Sequence, residues 1–214
     1  GNYAMAGAIN IITTRPAGRT LELKTQYGSR KSPKFDFFAS DKWNAFGVAV
    51  EGSFFDTGGF EQVTAEERGP IDTKAKVSYK NVIVKADYSP TDRTSTFVRV
   101  GYFREERDNA KVTTFAPTTP EANDSQWKAF SAGGRASLPD QSDLQASVFP
   151  DYTRFNSNFI AVPTPRSVAR VATNQHVPTD AVGGQVQWSK PISTKYLVSA
   201  GTDFRRIEGA TEEQ

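Results

Sequence analysis

Apolar and polar residues alternate along most of this chain with a period of two, which is the pattern of β-strands that present two different faces. Clear examples are TLELKTQYG at 20–28, AFGVAVEGSF at 45–54, DAVGGQVQWS at 180–189 and YLVSAGTDFR at 196–205. One predicted face is apolar and includes Leu21, Leu23, Phe35, Phe37, Val48, Val50, Val186 and Trp188. The opposite face is predicted to carry Glu22, Lys24, Asp36, Glu51, Arg99, Glu105, Gln145, Gln185, Gln187, Asp203 and Arg205.

Two places interrupt the alternation. In KAKVSYKNVIVKADY at 74–88, the apolar residues are odd-numbered up to Tyr79 and even-numbered from Val82. We therefore expect a β-bulge near Lys80 and Asn81 that restores one apolar face. Pro150 has no backbone N–H and lies within a strand-like run, which predicts a bulge or a local break there.

The predicted connections alternate in length along the chain. Turn residues mark short connections at 41–44, 89–93, 139–142 and 191–194, after a first brief link at 29–33. Long polar connections are predicted at roughly 57–72, 107–126 and 160–180. Consecutive antiparallel strands would then place every short turn at one end of the sheet and every long connection at the other.

This organisation favours an antiparallel up-and-down transmembrane β-barrel, in which short turns and long loops lie at opposite ends. We count about nine strands, and the polar face carries too much charge for a packed core. A water-filled or plugged barrel interior accepts such a face, and lipid accepts the apolar one. A soluble β-sandwich that acts as a binding module is the alternative that the alternation alone allows.

Composition narrows the possible chemistry. The chain has 214 residues, a net charge of +2, no cysteine and one histidine, His176, which we expect on the surface of a long polar loop. The absence of cysteine excludes a disulfide framework, and the small net charge does not indicate a basic surface for binding nucleic acid. The paired carboxylates Glu66–Glu67 and Glu105–Glu106 are expected to be solvated, and no catalytic constellation is found. We therefore expect neither an enzyme nor a cofactor.

The first residues, GNYAMAGAINIITTRP, resemble the closing segment of the plug domain in TonB-dependent outer-membrane receptors. That family commonly has small residues, then an I-N-I-x-T strand, then a basic residue and often proline. The matching plug-end motif is Gly7, Ala8, Ile9, Asn10, Ile11, Ile12 and Thr13, and Arg15 and Pro16 match its exit. The resemblance implies that residues 1–18 end a plug and that residues 19–214 begin a barrel of about 22 strands, so the chain looks like a fragment.

The resemblance also implies a function. Such a receptor takes up a scarce small-molecule ligand, such as a siderophore, cobalamin or an oligosaccharide, across the bacterial outer membrane. Its partners would be outer-membrane lipid and TonB, the latter through an N-terminal segment that this sequence lacks. A passive porin-like barrel is a second hypothesis, which the plug-end motif disfavours.

Candidate site residues follow from the same picture. Outer loops contact ligand in this family, and aromatic and arginine side chains suit chelates, sugars and anions. The candidates in the predicted loops are Phe60, Arg68, Phe115, Arg166 and Arg170. Three aromatic residues beside short turns, Trp43, Tyr88 and Tyr196, are predicted to lie at a membrane interface.

Overall fold

A computed structural model describes Pro16 and residues 18–214, which contain β-strands and no helix. The predicted plug-end motif lies outside these described residues. The strands are β1 (Thr20–Gly28), β2 (Ser32–Trp43), β3 (Phe46–Phe55), β4 (Phe60–Glu61), β5 (Asp72–Thr91), β6 (Thr94–Val112), β7 (Pro120–Ser137), β8 (Asp143–Ala161), β9 (Arg170–Pro191), β10 (Leu197–Gly209) and β11 (Glu212–Glu213).

All of these strands belong to one antiparallel sheet. Its order is β1-β2-β3-β5-β6-β7-β8-β9-β10, so each long strand pairs with the long strands before and after it in the sequence. The two-residue strands β4 and β11 pair with β5 and β9. Strands β1 and β10 form two open edges, and the described residues contain no second sheet. The predicted all-β, up-and-down partial barrel of about nine strands is confirmed, and a sandwich of two packed sheets is not the fold.

The connections lie at opposite ends of the sheet, as predicted from their lengths. Tight turns at 44–45, 92–93, 138–142 and 192–196 define what we call the turn end. Neighbouring turns are joined there, since the Ser89 N–H donates to the Ala45 carbonyl and the Ser137 N–H donates to the Arg93 carbonyl. Connections at 29–31, 56–71, 113–119 and 162–169 define the loop end.

Two long connections are shorter than predicted because the strands beside them continue through polar sequence. Residues 107–112 belong to β6, 120–126 to β7 and 170–180 to β9. His176 therefore lies in β9 rather than in a loop, and its Nδ1 is hydrogen-bonded to the Asn156 side chain. Beyond the apolar part of each strand, apolar residues no longer alternate regularly with polar ones on the same face, so hydropathy alternation does not reveal a strand that still pairs.

The predicted bulge at Lys80 and Asn81 is wrong. Strands β5 and β6 keep one register from Ala75 to Tyr88, and their irregularities fall outside that range. The apolar residues change face because the strand passes from the apolar part of the sheet into its polar extension. Pro150 does interrupt the β7–β8 ladder without a shift of register, so the local break is confirmed and a bulge is not.

The register divides the sheet into two chemically different faces. Directly paired residues share a face, and successive residues on a strand alternate. By this rule all eleven polar residues predicted to share a face do so, and we call it the polar face. The eight predicted apolar residues share the opposite face, which we call the belt face.

Four phenylalanine side chains fix the register by covering glycines directly opposite them. A Cβ built on Gly52 would lie 2.2 Å from the Phe37 ring, and one on Gly183 would lie 2.3 Å from the Phe149 ring. The other two pairs of this kind are Phe97–Gly133 and Phe204–Gly184. A slip of one residue would set Phe37 opposite Glu51 or Ser53, so the Phe37–Gly52 pair favours a single alignment.

Candidate functional site

The belt face carries an uninterrupted set of exposed apolar side chains across all nine long strands. Leu21 is 70% exposed, Val100 48% and Phe204 59%. We call this surface the apolar belt, and its aliphatic and small interior consists of Leu21, Leu23, Ala39, Val48, Val50, Val84, Ala86, Val98, Val100, Ala132, Ala146, Val148, Val186, Ala200 and Thr202.

Aromatic residues border the apolar belt at both ends. The turn-end margin holds Trp43, Phe46, Tyr88 and Trp188, with Tyr196 directly before β10. The loop-end margin holds Tyr27, Phe35, Phe54, Tyr102, Phe130, Tyr152 and Phe204. Trp43, Tyr88 and Tyr196 lie beside short turns, as predicted from the sequence. The loop-end margin was not predicted, because it becomes visible only when the strands are aligned.

The apolar belt crosses the sheet obliquely. Starting from Phe204 on β10, direct pairs lead through six strands to Asp41 on β2. The loop-end margin on β2 is Phe35, six residues away from Asp41 towards the loop end. At about 3.3 Å per residue and about 4.8 Å per strand, the margin shifts by about 20 Å along the strands over a distance of about 34 Å across the sheet. The strands are therefore tilted by about 30° from the normal of the belt.

The polar face has its own aromatic row near the loop end. The Phe55 and Tyr79 ring centroids lie 5.5 Å apart, and those of Tyr79 and Phe103 lie 6.3 Å apart. Trp127 is the direct partner of Phe103 on the next strand. All four side chains are partly exposed, so this row forms an aromatic surface on the polar face.

Pro16 is buried against the polar face near the turn end. A Cβ added to Gly47 would lie 3.1 Å from the Pro16 Cβ. Nearby, the buried Asp87 carboxylate has Lys85 3.7 Å away, and its Oδ2 has no hydrogen-bond partner. The chain thus enters β1 from the polar side of the sheet.

Three long connections pack together at the loop end. Ile71, Ile160 and Ala169 form a small buried cluster with Val162 beside it. The Thr114 N–H donates to the Ala169 carbonyl at 3.1 Å, which joins the second connection to the third. These connections are therefore a folded unit with its own apolar centre.

A partly buried ion pair joins the third of these connections to the start of β5. Arg166 binds Asp72 through Nε at 3.0 Å and through Nη2, while the Asp72 carboxylate also accepts the Gly69 N–H at 2.9 Å. The Asp72 side chain is 3% exposed. The Arg166 guanidinium lowers the pKa of Asp72 below its ordinary value.

The five predicted ligand-contact residues have different surroundings. Phe60 lies in β4 with the Arg30 guanidinium 5.4 Å from its ring centroid, and Phe115 is exposed in the second connection. Arg68 is bound to Glu61 and to the Val63 carbonyl. Arg166 forms the pair described above. Arg170 begins β9 and is not a loop residue, because the third connection is shorter than predicted.

We expect Arg166→Met to loosen the loop end, because it leaves the buried Asp72 carboxylate without its cation. The Asp72 carboxylate is shielded from water by its surroundings, so without the arginine its charge is no longer compensated and the contact weakens. The measurement is amide hydrogen exchange at Gly69 and Thr114 in the detergent-bound chain. Arg170→Met is the matched control, and equal acceleration in both variants would contradict this role for the pair.

The same ion pair sets a pH dependence. Because its folded-state pKa is lowered, Asp72 stabilises the loop end above its ordinary pKa of about 3.9 and loses this effect as pH falls through the lowered value. We expect protection of the Gly69 amide, corrected for intrinsic exchange, to stay constant from neutral pH down to about pH 5 and to fall only below about pH 4. A fall between pH 7 and 5 would assign the effect to another group.

Neither a protein-family model nor a curated protein sequence matches this chain. Within residues 18–214, no helix is long and apolar enough to cross a membrane. The same residues contain no group of three or more histidine, cysteine, aspartate and glutamate side chains that could hold a metal ion. The resemblance of residues 7–16 to a plug end stays a prediction.

Proposed function

We propose that this chain is part of a bacterial outer-membrane barrel, with the apolar belt against lipid and the polar face towards the interior. The observation that carries this proposal is the belt itself, which is exposed, continuous over nine strands and bordered by aromatic residues at both ends. Outer-membrane barrels have an apolar band between two aromatic girdles and strands tilted by about 35–45°. The tilt of about 30° derived from the register is close to that range.

The finer proposal is a TonB-dependent receptor that takes up a scarce ligand such as a siderophore, cobalamin or an oligosaccharide. Its support is the resemblance of residues 7–16 together with the burial of Pro16 on the polar side of the sheet. A plug that ends in this motif would lie on that side. Phe60 and Phe115 are exposed at the loop end and are the candidate ligand contacts.

Placement in the membrane is tested with cysteine labels, because the chain has no cysteine of its own. Val48→Cys and Glu51→Cys lie on the same strand, on the belt face and the polar face respectively. In phospholipid vesicles, a nitroxide on the lipid acyl chain should quench a fluorophore at position 48 strongly and one at position 51 weakly. Equal quenching at both positions would contradict the proposed orientation.

Energised uptake is tested in cells that make the protein in its natural form. Uptake of labelled ferric siderophores, cobalamin and oligosaccharides is measured with and without a protonophore that removes the energy supply. A TonB-dependent receptor predicts concentrative uptake of one of these ligands that the protonophore abolishes. Uptake that is insensitive to the protonophore would favour the passive porin-like alternative.

A further inference from the structure

Basic residues lie directly beyond the loop-end margin of the apolar belt. On β5, β6, β7, β8 and β10, the first belt-face position past the margin is Lys or Arg. On β9 this position is Asp180. We call these residues the cationic row, which consists of Lys80, Arg104, Lys128, Arg154 and Arg206.

The turn-end margin has no equivalent row. The corresponding positions beside β5 to β9 are Pro90, Thr94, Leu138, Ser142 and Lys190. The single cation among them, Lys190, is neutralised by Asp140 at 2.8 Å. The two margins therefore differ in charge although both carry aromatic residues.

The side chains of the cationic row have hydrogen-bond donors that the described residues do not use. Among the described residues, no carboxylate forms an ion pair with Lys80 or Lys128. Lys80 lies 6.0 Å from the centroid of the Tyr102 ring. The arginines are paired with carboxylates of the same face, as Arg104–Asp124, Arg104–Glu106, Arg154–Asp180 and Arg206–Glu208.

These pairs leave part of each guanidinium available. Arg104 binds its carboxylates through Nε and Nη2, and Arg154 uses Nη1 for all of its bonds to the described residues. The remaining nitrogens can donate to a further anion. Guanidinium and ammonium groups bind phosphate oxygens through charge-assisted hydrogen bonds, and long basic side chains at a membrane margin extend towards headgroups.

We infer that the cationic row binds phosphate groups of anionic lipid headgroups in the leaflet at the loop end. The inference rests on the proposed membrane placement and adds to it a preference for one class of lipid at one margin. The occupant is a lipid because the row follows the edge of the belt on five of six neighbouring strands, at the level where headgroups begin. Lys80 and Lys128 carry most of the effect, since no carboxylate competes for them.

The experiment uses the full chain in phosphatidylcholine vesicles with and without phosphatidic acid. A fluorophore at Gln126→Cys reports on the row, because Gln126 pairs directly with Arg104 and Arg154. Quenching by nitroxide-labelled phosphatidic acid is compared with quenching by equally labelled phosphatidylcholine. We expect a preference for phosphatidic acid that falls about fivefold for each lysine removed in K80Q/K128Q and weakens with added salt.

The control variant K24Q/K195Q removes two lysines that lie away from the row, on the polar face and in a turn. It should retain the preference. An equal loss in both double variants, or no preference in the parent chain, would overturn the inference. Loss of the preference on adding millimolar inorganic phosphate would also overturn it, in favour of a site for free phosphate.

A second fluorophore, at Val84→Cys in the belt interior, separates the two proposals. If acyl-chain nitroxides quench it while position 126 shows no lipid preference, only the cationic row inference fails. If acyl-chain nitroxides do not quench it, the membrane placement fails, and this inference fails with it.

Discussion

Val186→Arg is expected to lower the partition of this chain into phospholipid vesicles by roughly 30-fold to several hundred-fold. Val186 lies in the interior of the apolar belt and is 46% exposed. An arginine facing lipid near the middle of a barrel wall costs about 2–4 kcal/mol. The measurement is flotation of the chain with vesicles over a range of lipid concentrations.

The neighbouring residue supplies the matched control. Gln187 is exposed, follows Val186 on the same strand and lies on the polar face. Gln187→Arg adds the same charge and volume one residue away, and we expect its partition to change less than about threefold, as for an exposed surface substitution. Similar losses in both variants would mean that the belt face does not contact lipid.

The second large effect concerns the chain in water. We expect the 214-residue chain, purified without detergent, to aggregate and to show no sharp unfolding transition. The apolar belt far exceeds the few hundred Å2 that a soluble monomer usually exposes, and strands β1 and β10 offer unpaired backbone edges. Size-exclusion chromatography with light scattering and thermal unfolding are the measurements.

An experiment in detergent separates the contribution of the apolar belt to aggregation from that of the open strand edges. Detergent covers the apolar belt but leaves the backbone of β1 and β10 unpaired, so we expect smaller particles and still no closed, ion-conducting pore in planar bilayers. A monodisperse monomer with a cooperative transition in plain buffer would identify a soluble β domain, and the transport proposal would be abandoned.

Much of the fold follows from hydropathy because the two faces of the sheet differ in chemistry. Leu21 and Glu22, or Val50 and Glu51, alternate as strictly as the faces require, and proline and aspartate mark the tight turns. Prediction failed beyond the belt, where residues such as Asp108 and His176 are paired in strands although neither face is apolar. The expected bulge at Lys80 and Asn81 came from extending one pattern into that region.

The functional surfaces were less predictable because they depend on register. Tyr102, Phe130 and Tyr152 are far apart in sequence, and only strand alignment shows that they border one surface. The partner of Arg166 is Asp72, ninety-four positions earlier in the chain, and no local pattern indicates that contact. Exposed loop residues such as Phe115 were easier to select, since long polar connections are visible in the sequence.

The zigzag connectivity makes the sheet modular. Apart from the pairing of the two-residue strand β11 with β9, each long strand pairs only with its neighbours in the sequence, and each tight hairpin starts and finishes at the loop end. A complete hairpin could therefore be duplicated or deleted without exchanging the two faces of any other strand. The circumference of such a wall can change in steps of two strands during evolution, while the chemistry of its inside and outside is preserved.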